Sequence, residues 1–94
     1  MATVRIVKKY PNRRLYDTTE SRYITLHDIR QLVLSGEPFE VIDKKTDANI
    51  TRSILLQVIA EQEQQGPSVM SEDFLSQIIR SHASRASSDP NRNS

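Results

Sequence analysis

Lys8-Lys9-Tyr10-Pro11-Asn12-Arg13-Arg14-Leu15-Tyr16-Asp17 is the stretch on which the fold turns. It puts four cations, two tyrosines and an asparagine around a Pro-Asn turn signal. Upstream, Val4-Arg5-Ile6-Val7 is rich in β-branched residues and predicts a strand with Val4 and Ile6 on one face. Downstream, Arg14-Leu15-Tyr16 resumes extended character, Leu15 facing opposite to Arg14 and Tyr16. A polar turn at Thr18-Thr19-Glu20-Ser21 leads to a further short strand, Arg22-Tyr23-Ile24. The cations therefore ride on a β-ribbon or its loops, not on a helix.

Helical signals begin at Thr25, an N-cap with Asp28 three residues on, as in a capping box. Leu26, Ile29, Leu32 and Val33 recur at helical spacing, and Gly36 supplies the stop. Phe39-Glu40-Val41-Ile42-Asp43 alternates like a strand with Phe39 and Val41 on one side. After the polar turn 44–49, Ile50 begins a short return strand. Thr51 reads as a second N-cap, before a helix with Ile54, Leu55, Val58 and Ile59 on its apolar face. Gly66-Pro67 ends it. Ser71 caps a third helix carrying Phe74, Leu75, Ile78 and Ile79, with Met70 and Leu75 at the staple positions. Two matched apolar faces joined at Gly-Pro predict an antiparallel helical hairpin.

The expected class is α+β: a short N-terminal β-ribbon, a helix, a second β-hairpin, a C-terminal pair of amphipathic helices and a disordered tail. Residues 1–80 form the expected domain, and the polar stretch 81–94 the tail.

Ninety-four residues suit one small core, and such cores often gain from association. The net charge of +1 conceals polarity: residues 1–35 carry +4, residues 36–67 carry −3, and the remainder balances. A basic front gives polyanions one attractive face. Without cysteine there is no disulfide framework, thiolate chemistry or Cys-based zinc site. No apolar run is long enough to span a bilayer, and no signal-peptide core follows Met1. The expectation is a soluble, cytoplasmic protein that engages no membrane. His27 and His82 stand alone, so no metal site is expected. The two glycines follow helices, so no phosphate-cradling loop forms. Asp17 with Glu20 fits turn chemistry better than acid–base catalysis, and Ser21 and Ser53 lack a partnering base. Neither enzymatic activity nor a cofactor is expected.

What the basic stretch can do is bind nucleic acid. Lys8, Lys9, Arg13, Arg14 and Arg22 are candidates for phosphate or base-edge contacts, and Tyr10, Asn12 and Tyr16 for added specificity. Each has a plainer reading: cross-strand packing for the tyrosines, turn formation for Asn12, a solvated charged face for the cations. Ile54, Leu55, Val58, Ile59, Phe74, Leu75, Ile78 and Ile79 are the candidate oligomer interface.

The block Lys8 to Thr18, KKYPNRRLYDT, resembles the opening signature of bacterial polyhydroxyalkanoate (polyhydroxybutyrate) synthesis repressors. The blocks Tyr23-Ile24-Thr25-Leu26, Thr51-Arg52-Ser53-Ile54-Leu55-Leu56-Gln57 and Leu75-Ser76-Gln77-Ile78-Ile79-Arg80 follow in the same order. Together they span about residues 5–80. The resemblance implies a transcriptional regulator of polyester storage that binds double-stranded DNA upstream of granule-protein genes as a homodimer or dimer of dimers. It also implies recruitment from DNA to the polyhydroxyalkanoate granule. Members of that family usually continue into an apolar extension, whereas this sequence turns polar at Ser81, which weakens the granule expectation. The alternative is a non-enzymatic module that docks on a protein or granule through its helices, with a basic stretch that is not a DNA reader.

Overall fold

A computed structural model describes residues 3–87. Four strands and three helices follow in order: β1 (Arg5–Lys9), β2 (Leu15–Asp17), β3 (Arg22–Ile24), α1 (Leu26–Leu34), β4 (Phe39–Asp43), α2 (Thr51–Gln65) and α3 (Glu72–Ser87). The class is α+β, as the sequence implies. The chain forms two compact units, Met1–Glu61 and Gln62–Ser94.

In the first unit the strands make one sheet of order β3-β2-β1-β4. β1, β2 and β3 run as an antiparallel meander, with Lys8 opposite Tyr16 and Tyr16 opposite Tyr23. β4 lies parallel to β1, Val7 paired with Val41. The second hairpin is accordingly reduced. The return along the outer edge of β4 is a bridge between Ile42 and Asn49, after which the chain enters α2 at Thr51. Val7, Leu15, Ile24, Ile29, Val41, Ile54 and Val58 form the core, flanked by Leu26, Leu32, Phe39 and Ile50.

β1 turns to the core the face that carries Val7, not the one expected to carry Val4 and Ile6. Val7 is buried, while Val4 is exposed and Ile6 half-buried. The inward face of β1 carries Arg5 as well as Val7, and a charged residue can sit there only with a partner. Asp17 is that partner. It is 1% exposed and accepts from the Arg5 guanidinium at 2.6 Å. Its other oxygen accepts from the amides of Thr19 and Glu20, tying the β2–β3 turn. Glu37 pairs with Arg5 from the other side. Burial works against the Arg5 charge, but the Asp17 hydrogen bond and the two carboxylates outweigh it and hold the guanidinium above its ordinary pKa.

Local signals place α1 correctly. Thr25 accepts from the Asp28 amide while the Asp28 carboxylate accepts from the Thr25 amide, closing the capping box. Gly36 adopts φ +74°, the left-handed stop that favours glycine. Thr51 departs from the cap expected of it. It is the first residue of α2, and its hydroxyl accepts from the Val41 amide and donates to Asn49 Oδ1. The side chain thus joins α2 to β4 rather than closing its own helix.

In the second unit Ser71 accepts from the Phe74 amide, so the expected cap of α3 is present. α3 continues past Arg80 to Ser87 rather than yielding to a disordered tail at Ser81. Residues 81–87 contain no glycine or proline, and Ala83, Arg85 and Ala86 favour the helix. The rest of the expected tail, 88–94, lies outside the described residues. Among those described, no helix is long and apolar enough to cross a membrane, and no His, Cys, Asp or Glu cluster could hold a metal ion.

Candidate nucleic-acid interface

The β1–β2 connection begins where Pro11 fixes φ for the first central position of a turn. The Arg13 amide donates to the Tyr10 carbonyl at 2.8 Å, and the Tyr10 amide to the Arg14 carbonyl at 2.9 Å. Arg13 is left with φ +68°, a left-handed conformation at the ribbon's tip that costs about 1–2 kcal/mol for a residue with a Cβ. This is a type I turn closed by a bulge residue, a position usually given to glycine. Asn12 Oδ1 accepts from the Arg14 amide. The Asn12 side chain is therefore engaged in building the turn, the plainer of its two readings.

Strand alternation sorts the remaining candidates. Leu15 and Asp17 face the core, and Tyr16 lies between them on the opposite face, across from Lys8 and Tyr23. Tyr10, Tyr16 and Tyr23 form one aromatic cluster. Tyr16 and Tyr23 meet edge to face, their centroids 5.2 Å apart at 76°, and Tyr10 lies 6.4 Å from each. Such pairs contribute about 0.5–1.5 kcal/mol beyond their burial, so packing accounts for the tyrosines' arrangement. The Arg14 guanidinium lies over the Tyr23 ring, its Cζ 3.8 Å from the centroid. At an exposed site that contact is worth about 0.5–1 kcal/mol.

Beside the ribbon a cleft of about 440 Å³ brings Lys9, Arg13, Arg14 and Tyr23 together over a floor that includes Leu15, Ile24 and Ile54. Lys8 stands on the neighbouring sheet face. None of the ion pairs among the described residues uses Lys8, Lys9, Arg13 or Arg14. The ribbon's charge is thus offered outward, the arrangement suited to a polyanion. Arg22 is not part of this group. It pairs with Glu20 at 3.1 Å and lines a separate cleft with Arg5, Asp17 and Asp28. Six of the seven cations in residues 1–35 therefore divide into a paired set, Arg5 and Arg22, and a ribbon set without an ion pair among the described residues; the seventh, Arg30, lies on α1. Tyr23, not among the residues expected from sequence, joins this group because a lone tyrosine in a three-residue strand gives no signal until its neighbours are placed.

The candidate oligomer residues divide as well. Ile54 is 1% exposed and Val58 is buried in the protomer's own core, so neither is available to a partner. They face the sheet because β1, β2 and β4 cannot cover their inner face alone. Leu55 is half-buried, while Ile59, Phe74, Leu75, Ile78 and Ile79 are exposed.

Sequence comparisons meet this geometry from outside. A protein of Allochromatium vinosum, described as uncharacterized, is 60% identical over 80 residues, covering 85% of this chain and 52% of that protein. A protein of Thiocystis violacea, described as lying in the phbA 5' region, is 55% identical over 80 residues, covering 85% of this chain and 58% of that one. The chain spans about half the length of these curated relatives. No solved structure matches it. Residues 6–66, which hold α2 and all of the ribbon and sheet except Arg5, match the PHB/PHA accumulation regulator DNA-binding domain, and the chain belongs to that family.

Proposed function

We propose that this chain is a sequence-specific DNA-binding domain of a transcriptional repressor governing polyhydroxyalkanoate storage and granule-protein genes. The observation that carries the reading is the antiparallel pair β1–β2, with four cations at its turn end that have no carboxylate partner among the described residues. The turn that joins these two inner strands projects the cations from one end of the sheet, where phosphates can anchor it and base edges lie within reach of the longer side chains. The family supports DNA as the ligand, and the Thiocystis relative's position beside phbA supports storage genes as targets. The reading makes the protein a non-enzymatic, cytoplasmic regulator.

Fluorescence anisotropy with duplexes from upstream of granule-protein genes, against random duplex at several salt concentrations, tests it. The double substitution Lys8→Ala, Lys9→Ala should shallow the salt dependence by about two units, one for each phosphate-range cation removed. Unchanged affinity and slope in a folded double variant would move the interface elsewhere.

The proposal includes self-association. Exposed Phe74, Leu75, Ile78 and Ile79 on α3 present apolar surface that a second copy would cover, bringing two ribbons to a two-fold DNA site. Apolar surface committed in this way is withdrawn from the granule, so binding to polyester should be weak in this chain. Co-sedimentation with polyester particles checks it, and strong saturable binding would revive the docking-module reading.

A further inference from the structure

We propose that Arg14 is the side chain that reads a base edge and that Tyr23 is the positioning residue that aims it. The proposal deepens the reading of the ribbon as a duplex-DNA contact and rests on it. The four ribbon cations are not equivalent. Lys8 and Lys9 are point charges on long flexible stems, suited to phosphates and indifferent to base identity. Arg13 stands at the tip with a left-handed backbone and no recorded side-chain partner among the described residues. Arg14 is held at three points. Its amide donates to Asn12 Oδ1, its carbonyl accepts from the Tyr10 amide, and its guanidinium lies over Tyr23 with Cζ 3.8 Å from the ring centroid.

That restraint is what base reading requires. A guanidinium recognises guanine by two parallel N–H donors aimed at O6 and N7, and a fork already in place forfeits less freedom on binding. A guanidinium that stacks on a ring gives up only its face to the contact and keeps its N–H edge for hydrogen bonds. No carboxylate among the described ion pairs competes for that edge. Tyr23 is itself braced: Tyr16 meets it edge to face at 5.2 Å, and Tyr10 lies 6.4 Å away. The aromatic cluster therefore supports one particular arginine, although only one of its rings carries it. The contact needs the ring and not its hydroxyl, so phenylalanine should substitute for Tyr23 where leucine cannot.

The test uses the full chain and a duplex selected by it from a randomised pool. Guanines in that duplex are replaced one at a time by 7-deazaguanine, which lacks the N7 acceptor. For wild type, replacement at one guanine should weaken binding about fivefold, since it removes one of the two acceptors of a bidentate contact. In Arg14→Ala the same replacement should cost nothing further. In Tyr23→Leu the penalty should shrink severalfold while the salt slope stays at the wild-type value, and Tyr23→Phe should keep the full penalty. Thermal melts confirm that each variant is folded. A penalty that persists in Arg14→Ala, or in Tyr23→Leu, would overturn the assignment while leaving the ribbon a DNA contact. A wild-type chain with no preference for any duplex would overturn the DNA-reading proposal itself, and this inference with it.

Discussion

Arg13 and Arg14 are neighbours in sequence and opposites in conformation, one strained at the tip and the other secured on both sides. The strain yields a prediction. Arg13→Gly should raise folding stability by about 1 kcal/mol, since glycine enters the left-handed region without penalty. The same change removes a cation and should reduce the salt slope of DNA binding by about one unit. Thermal melts and salt-dependent anisotropy on one preparation measure both, and a variant that gained affinity would show that Arg13 does not face DNA. Asp17 is the opposite case. Removing it by Asp17→Ala leaves Arg5 largely buried with only Glu37, at an expected cost of about 3 kcal/mol. The sequence shows Pro11-Asn12 as a turn without ambiguity, because both residues restrict the backbone locally. It does not show that Arg5 is neutralised, since Asp17 lies twelve residues on and meets Arg5 only once β1 and β2 are paired.

Single hydrogen bonds decide how the elements join. Thr25 and Asp28 are legible as a cap because both halves of the box lie within four residues. The Thr51 hydroxyl is not legible, since its donor, the Val41 amide, is ten residues upstream on another element. Thr51→Val should cost about 1–3 kcal/mol by leaving that part-buried amide without an acceptor. Urea unfolding of the variant measures it, and a neutral result would mean that the amide finds another partner. The joint between α2 and α3 hangs on Glu63, whose carboxylate accepts from the amides of Val69 and Met70 and from the Ser68 hydroxyl. Those bonds, the Val69 amide foremost, hold its pKa below the ordinary glutamate value. Because the folded value is depressed, the bonds are fully made above the ordinary value and are lost as pH falls through the lower one. Amide resonances of Val69 and Met70 should therefore titrate together, with a midpoint below that of an ordinary glutamate, and stay flat in Glu63→Gln. A midpoint at the ordinary value would detach Glu63 from the joint.

Across the whole molecule, periodicity revealed that the helices were amphipathic but not which apolar residues each would bury. Ile54 and Val58 belong to the protomer's core, whereas Ile79 is 69% exposed. Ile54→Ala should accordingly cost about 3 kcal/mol of protomer stability. Ile79→Glu should leave the melt nearly unchanged and reduce any self-association seen by sedimentation at micromolar concentration. A wild type that sediments only as monomer would remove the dimer from the proposal. Pairing of β4 with β1 was the least legible feature, because strand alternation carries no information about a partner so far away along the chain. Arg5 meets Phe39 across that pair, while Val7 meets Asp17 in the meander. Loop closure therefore delays β4 relative to its neighbours, and the ribbon should be complete before the sheet is. Val41→Ala should speed unfolding with little effect on the folding rate, and Leu15→Ala should slow folding, as stopped-flow kinetics would resolve. Until β4 arrives, β1 is a transient edge whose unpaired amides and carbonyls any other chain can take up. Refolding yield should therefore fall as protein concentration rises, in a narrow interval between closure of the ribbon and closure of the sheet.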